Sequence, residues 1–282
     1  MKLYIVIPAY NEAEFIGKTL QSLVAQTRLP EKIVVVNDQS TDLTKEIILN
    51  FAEKYDFISL VNTTSEGEHS PGGKVIRTFN QGYKTLDEDY DIICKFDADL
   101  VFPENYLESI INLFEEDTST GMAGGFCTIL KNGNWVLENL TDKDHIRGAL
   151  KAYRKECFLD IGQLRPAMGW DTADELLAQF HGWKIKTDTE LRVNHLKPTG
   201  ASYNLTSKYK QGEAFYRLRY GFSITLIASV KLAYLKRNFG LFNNYLSGYF
   251  KAKKEKQPFL VSEEEGRFIR NLRWQKMRRK IF

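Results

Sequence analysis

The stretch Ile92-Ile93-Cys94-Lys95-Phe96-Asp97-Ala98-Asp99 decides the fold. Its first five residues are rich in large apolar side chains, the run is bounded by turn-prone Pro103, and it reads as a buried strand. Strand periodicity places Asp97 and Asp99 on the same side, at the carboxyl end of that strand. Open α/β sheets bind their ligands at that edge. Carboxylate oxygens in that position suit Mg²⁺ or Mn²⁺ bridging to a phosphate.

Working outward, Leu3-Tyr4-Ile5-Val6-Ile7 reads as a strand ending at Pro8, Ile33-Val34-Val35-Val36 as a second and Ile58-Ser59-Leu60-Val61 as a third. Helical stripes separate them: Phe15, Ile16, Leu20 and Leu23; then Ile47, Ile48 and Phe51; then Val75, Ile76, Phe79 and Tyr83. Asn11 and Glu14 have the spacing of a capping box for the first helix. Such alternation predicts βαβ units, a mainly parallel sheet and right-handed crossovers. Residues 1–100 are therefore expected to form a nucleotide-binding type of α/β half. A second half, 101–205, holds a helix near 104–116, a Gly-rich segment from Gly121 to Gly125 and a less regular stretch to about 168. It closes with a short helix over Asp171 to Phe180 and one or two strands between Trp183 and Asn194.

Residues 206–282 change character, becoming helical, aromatic and basic. Residues 231–282 carry fourteen Lys and Arg against four acids, a net of +10, within a chain whose net charge is only +3. Cations interleaved with aromatic and apolar groups suit helices lying on an anionic bilayer surface. No RRM, helix-turn-helix or zinc-finger pattern supports a nucleic-acid partner. Cys94, Cys127 and Cys157 form no C-x-x-C pair, which favours buried thiols in a reducing compartment. The first strand begins at Leu3, leaving no room for a signal peptide, and no window reaches 18 uninterrupted apolar residues. A cytoplasmic protein, peripheral at the cytoplasmic face of a membrane, is the expectation.

Four polar clusters fall at expected strand ends or helix starts: Pro8-Ala9-Tyr10-Asn11-Glu12, Asn37-Asp38-Gln39-Ser40-Thr41-Asp42, Asp97-Ala98-Asp99, and Gly169-Trp170-Asp171-Thr172-Ala173-Asp174-Glu175. Parallel strands bring the first three to one crevice. Asp171 and Asp174 are three apart on a helix and share a face, with Asp171 placed as N-cap and Asp174 at N3. No G-x-G-x-x-G follows the first strand, which excludes a dinucleotide-binding oxidoreductase. A nucleotidyltransferase would need a Gly-rich, basic loop there, and Pro8-Ala9-Tyr10-Asn11 is not one.

These clusters resemble the motifs of family 2 glycosyltransferases, which have the GT-A fold, an α/β architecture with a mainly parallel sheet flanked by helices. Ile7-Pro8-Ala9-Tyr10-Asn11-Glu12 is similar to that family's P-x-Y-N-E, Val36 to Asp42 to its V-D-D-G-S-T-D, and Phe96 to Asp99 to its D-x-D strand end. The resemblance covers residues 1–205 and leaves 206–282 as a helical basic extension. It implies a nucleotide-sugar donor, UDP-sugar favoured, a divalent metal (Mn²⁺ or Mg²⁺) and inversion at the anomeric carbon. The acceptor would be a saccharide or lipid-linked glycan.

Residue by residue, the resemblance places Pro8, Tyr10 and Glu12 in the base and ribose pocket and Asp38 on the base. Lys74, after Gly72-Gly73, would face ribose or phosphate. Asp97 would contact ribose or a metal-bound water, and Asp99 the metal itself. Asn37 stands where the family has its first Asp. His195, ending the strand Leu191 to His195, resembles family histidines that hold metal or diphosphate, and imidazole leans the choice toward Mn²⁺. The catalytic base is expected from the fourth cluster, as Asp171 or Asp174. Trp170-Asp171, counting back from Gly182, occupies the family's Glu-Asp position. Arg147 and Arg154 lie in a segment similar to the family's acceptor side. Arg270-Asn271-Leu272-Arg273-Trp274 lacks the first residue of the processive Q-x-x-R-W motif, so transfer of single sugars is expected. The alternative is a non-catalytic membrane-surface binding protein with a degenerate nucleotide-sugar site.

Overall fold

A computed structural model of the chain describes residues 1–63, 73–138, 145–197 and 207–279. β1 (Leu3–Ala9), β2 (Lys32–Asn37), β3 (Ile58–Asn62) and β4 (Ile92–Phe96) alternate with α1 (Ile16–Val24), α2 (Thr44–Ala52) and α3 (Gly73–Tyr83). These strands pair in parallel in the order β3-β2-β1-β4. β1, β2 and β4 are buried almost throughout, as their unbroken apolar runs require when helices cover both faces. Their carboxyl ends, at Ala9, Asn37 and Phe96, open on one edge.

The second half continues the same sheet. It comprises β5 (Leu100–Val101), α4 (Tyr106–Glu115), β6 (Thr120–Lys131), β7 (Asn134–Leu137), β8 (Leu150–Arg154), α5 (Lys155–Asp160), α6 (Trp170–Phe180) and β9 (Lys184–His195). β8 pairs antiparallel to β4, and β6, β9 and β5 follow outward, with β7 on β6. An aromatic cluster joins the two halves: Phe158 of α5 meets Tyr83 of α3 at 5.1 Å and Tyr153 of β8 at 5.4 Å between ring centroids.

Two local expectations are corrected. Asn11 does not cap α1, whose N-cap is Phe15; Asn11 sits in the left-handed region at φ 52°. Asn tolerates that conformation better than most residues, and its side chain serves another loop instead. The stretch to 168, expected to be less regular, holds β7, β8 and α5, and the Gly-rich segment Gly121 to Gly125 forms the buried start of β6. Glycine there answers crowding, since a Cβ on Gly125 would lie 2.2 Å from the Leu191 carbonyl oxygen.

The helical extension comprises α7 (Ser207–Arg217), α8 (Gly221–Leu235), α9 (Gly240–Lys254) and α10 (Glu263–Arg278). The expected boundary at 205/206 lies outside the described residues. Phe215, Leu218, Leu260 and Ile269 continue the buried cluster of the sheet. Phe268 of α10 packs edge-on against Phe180 of α6 at 5.5 Å, and the Ser262–Glu265 capping box starts α10. Several arginines of the extension are internal fasteners. Arg217 and Arg219 donate to the Pro258 and Val261 carbonyls, and Arg270 donates to the Arg219 carbonyl.

α7 and α9 meet backbone to backbone. A Cβ at Gly248 would lie 2.0 Å from the Tyr209 carbonyl oxygen, and one at Gly212 would lie 1.8 Å from that of Tyr245. Neither obstacle is a flexible side-chain end, so a methyl group forces the helices apart. Gly248→Ala is expected to destabilise the protein by about 1–3 kcal/mol, read as a lowered thermal midpoint with helical content retained. An unchanged midpoint would show that α7 and α9 are not in this contact.

Candidate active site

The loop after β1 is stapled to the loop after β2. Ser40 Oγ accepts from the Asn11 N–H at 3.0 Å, and Asn11 Oδ1 accepts from the Thr41 N–H at 2.8 Å. Thr44 Oγ1 and Asp42 Oδ2 accept from the Glu12 and Ala13 N–H groups at 2.8 and 3.1 Å. Asn11, Ser40, Asp42 and Thr44 thus hold the two loops, which leaves Tyr10, Glu12 and Asp38 to face the crevice. Asn37 is explained locally: its Nδ2 donates to Asn62 Oδ1 at 2.9 Å, and its Oδ1 accepts from the Ser40 N–H at 3.2 Å. An aspartate could not make the first bond.

Tyr10, Asp38 and Lys74 come together. Lys74 Nζ lies 3.0 Å from Asp38 Oδ2 and 4.3 Å from the Tyr10 ring centroid, and Thr63 Oγ1 donates to Asp38 Oδ1 at 2.9 Å. Asp38 is buried and Tyr10 is 47% exposed, a flat ring at the mouth of the crevice. Pro8, half-buried in β1, lies opposite Val36 of β2.

A second group lies beside it. Asp99 and His195 are buried, with Nε2 of His195 3.3 Å from Asp99 Oδ2. The pairing of β5 with β9 sets them side by side, Leu100 standing opposite His195. Burial disfavours a charged His195, but hydrogen bonds to Asp99 and Glu138 outweigh it and lift its pKa to about 9. Glu12 Oε1 accepts from Lys197 Nζ at 2.8 Å, while Glu12 Oε2 is buried without a hydrogen-bond partner among the described residues. Burial raises the Glu12 carboxyl; Lys197 opposes the shift, and Asp99 and Asp97 add to it. An orphaned buried carboxylate oxygen beside two aspartates is an environment short of a cation. Carboxylate and imidazole are donors that Mn²⁺ accepts, so these residues fit a divalent ion. Cys127, Glu138 and His195 also cluster, with candidate ligand atoms within 4.8 Å of one another. Glu138, however, is already paired with Arg147 at 2.6 Å, so Asp99 with His195 is the better-balanced donor pair.

The third group lies across the edge, at the start of α6. Gly169, at φ 81°, is the N-cap residue, and Asp171 lies within the first turn rather than capping it. Asp171 is half-exposed, and its carboxylate makes no hydrogen bond or ion pair among the described residues. Asp174 is fully enclosed. It accepts from Lys151 Nζ at 2.8 and 2.9 Å and from Tyr153 OH at 2.6 Å. Lys151, wholly buried, also reaches Glu175 at 3.2 Å and donates to the Asp171 carbonyl oxygen. Burial pushes the Asp174 carboxyl up. Burial would likewise raise Glu175, but Lys151, His145 and the Ile146 N–H hold it below the ordinary range.

A chain of contacts joins the groups. Lys95 pairs with Asp97 and donates to the Gly148 carbonyl. The buried Trp170 ring lies between Lys95 and Lys151, 5.4 and 5.6 Å from the two ammonium groups. Neither lysine was expected at the site, although a lysine inside an apolar run announces a buried charge in need of partners. Glu138 and Thr63 carried no comparable sequence mark. Arg154, expected on the acceptor side, instead donates to the Phe114 and Thr120 carbonyls, and Arg147 is engaged by Glu138.

Comparison with known proteins identifies the family. Residues 4–159 match the sequence profile described as Glycosyl transferase family 2. The chain is 35% identical over 136 residues to the probable glycosyltransferase YdaM of Bacillus subtilis, covering 45% of this chain and 30% of that protein. It is 26% identical over 219 residues to the uncharacterized glycosyltransferase YibD of Escherichia coli, covering 74% and 60%. The chain thus spans only about a third to three fifths of these relatives. Among solved structures, the mannosyltransferase PcManGT from Pyrobaculum calidifontis, in complex with GDP-Man and Mn²⁺, superposes with a TM-score of 0.60 at 15% identity, covering 98% of this chain and 80% of that one. S. aureus TarS 1-349 in complex with UDP-GlcNAc gives 0.58 at 16% identity, covering 89% and 72%. With its profile match across more than half its length and a GT-A architecture shared with these structures, the chain belongs to glycosyl transferase family 2.

Proposed function

We propose that this protein is an inverting glycosyltransferase that moves one sugar from a nucleotide-sugar donor to a hydroxyl of a saccharide or lipid-linked glycan. The observation that carries the reading is the contrast within α6. Asp171 presents a carboxylate that makes no hydrogen bond or ion pair among the described residues, whereas Asp174 is held by Lys151 and Tyr153. A general base needs a free lone pair within reach of the proton it removes. Asp171 meets that requirement, and Asp174 holds the turn that carries it.

In the proposed reaction the acceptor oxygen bonds to the anomeric carbon as the bond from that carbon to the diphosphate oxygen breaks. Asp171 takes the hydroxyl proton, and the nucleoside diphosphate leaves with the bonding electron pair. Tyr10 and Asp38 bind the nucleoside, with Pro8 and Glu12 completing its pocket, and Lys74 and Asp97 lie toward ribose and phosphate. Asp99 and His195 would hold a divalent cation, which when bound neutralises the charge developing on the departing diphosphate. UDP is the favoured nucleotide. Relatives of this fold have been solved with UDP-GlcNAc and with GDP-Man, so both bases enter the test. Three buried free thiols accord with action on the reducing, cytoplasmic side of a membrane.

Donor turnover, read as release of nucleoside diphosphate from a panel of UDP- and GDP-sugars, tests the reaction. Asp171→Asn is expected to lower turnover by about 10²–10⁴-fold while leaving donor affinity within a few-fold of the parent. Equal turnover in this variant would remove Asp171 from the chemistry. Donor binding without turnover in the parent, with any acceptor saccharide, would favour a binding protein over an enzyme.

A pH dependence follows from His195. Its pKa near 9 means that the protonated ring stabilises the metal-free fold, fully below the unfolded value of about 6.5 and not once pH passes about 9. Metal ligation needs the neutral ring and must expel that proton. Mn²⁺ affinity in the presence of nucleotide is expected to rise between pH 6.5 and 9, by up to about tenfold per unit, and to flatten in His195→Gln. An affinity independent of pH in the parent would contradict ligation by His195.

A further inference from the structure

Helix α8 is inside out. Its protein-facing side buries Thr225, Ser229 and Ala233 along with Ile224, and Ser229 Oγ has no hydrogen-bond partner among the described residues. Its outer side presents Ile227, Val230 and Tyr234, with Phe222 and Leu235 at its two ends, all between 41 and 71% exposed. Soluble helices place these groups the other way round. The apolar surface continues past the helix ends: Phe239 is 75% exposed, and Phe250 of α9, itself exposed, packs on Phe222 with ring centroids 5.8 Å apart.

The charge around this surface is mainly positive. Residues 214–254 contain eight Lys and Arg and no acid. Arg217 and Arg219 are spent on carbonyl groups within the extension. Exposed cations stand at both ends of the α8–α9 pair, Lys236 and Arg237 beside Phe239 and Lys251, Lys253 and Lys254 beside Phe250, and Lys231 is exposed on α8 itself. Lys251 also pairs with Glu255 at 3.8 Å. No helix among the described residues is long and apolar enough to cross a membrane. The 15 residues of α8 extend about 22 Å, short of a hydrocarbon core of about 30 Å.

We propose that the α8–α9 pair is a membrane-surface anchor. The outer face of α8 seats in the boundary between headgroups and acyl chains of an anionic bilayer, and the flanking cations meet lipid phosphates. Charge decides the occupant. A two-fold contact between copies would bring like-charged surfaces together, whereas an anionic bilayer complements them. The proposal is independent of the transfer reaction, because binding is read without donor or acceptor. It also gives a lipid-linked acceptor a reason to be within reach.

The test is flotation of the full chain with phosphatidylcholine vesicles, with and without phosphatidylglycerol. The parent is expected to float with the anionic vesicles and to be released by high salt. Ile227→Asp combined with Val230→Asp alters only exposed positions. This variant is expected to lose at least about tenfold in partitioning while keeping the parent's circular dichroism, thermal midpoint and donor turnover. Lys236→Glu combined with Arg237→Glu is expected to weaken binding to anionic vesicles alone. Failure of the parent to float, or equal flotation of the Ile227/Val230 variant, would overturn the proposal. So would a dimer in sedimentation that the Val230 substitution dissociates while vesicle binding is absent, which would assign the face to a second copy of the chain.

Discussion

A charge taken wholly out of water must be neutralised where it stands, and Lys151 is the residue on which the geometry of this protein turns. Its ammonium group is inaccessible and is met by Asp174, Glu175 and the main-chain carbonyl of Asp171. Removing one partner from such a pair strands the other, at a cost of about 3–5 kcal/mol. The first turn of α6 therefore cannot shift relative to β8 without separating charges. β8 is bonded to β4, the strand that delivers Asp97 and Asp99. The start of α6 and the crevice at the carboxyl ends of β1, β2 and β4 are in this way held in one frame.

The crevice after β1 and β2 is built on a different principle. Its loops follow parallel strands. Among the described residues the ladder reaches them only through the Asp38 and Thr63 N–H groups, which donate to the Ala9 and Asn37 carbonyls, so short polar side chains define the rest. Asn11, Ser40, Asp42 and Thr44 tie one loop to the other, and the Asn37–Asn62 amide pair fastens the ends of β2 and β3. The motif residues thus divide into those that shape the loops and those that face the crevice. Glu12 belongs to both groups: its N–H is held by Thr44, while one carboxylate oxygen has no hydrogen-bond partner among the described residues and lies beside two aspartates. This is the local imbalance that a cation would relieve.

Much of this was legible in the chain. β1, β2 and β4 announce themselves as apolar runs because they are covered on both faces, and the polar residues that follow them mark the crevice. What misled was residue chemistry with two meanings. Asn11 has the spacing of a cap, yet its side chain bonds across to Thr41, a partner thirty residues away that helix rules do not consider. The Gly-rich segment Gly121 to Gly125 carries no strand signal, yet it lies in a crowded strand against β9. Asp171 and Asp174 look equivalent on a helical wheel. Only the position of Lys151, fixed by the pairing of β8 with β4 and β6, distinguishes them. Lys95 and Lys151 could have been recognised from their apolar neighbours, whereas Glu138 reaches His195 and Arg147 only through the sheet.

The central claim is that the acidic crevice binds a nucleotide through a divalent cation held at Asp99. It is tested most directly by calorimetric titration of UDP and of GDP, each with and without Mn²⁺, into the parent and into Asp99→Ala. The account predicts Mn²⁺-dependent binding of one nucleotide, UDP being favoured, with loss of that binding in the variant. Binding that is indifferent to Mn²⁺ and to Asp99, or no binding of either nucleotide, would contradict it.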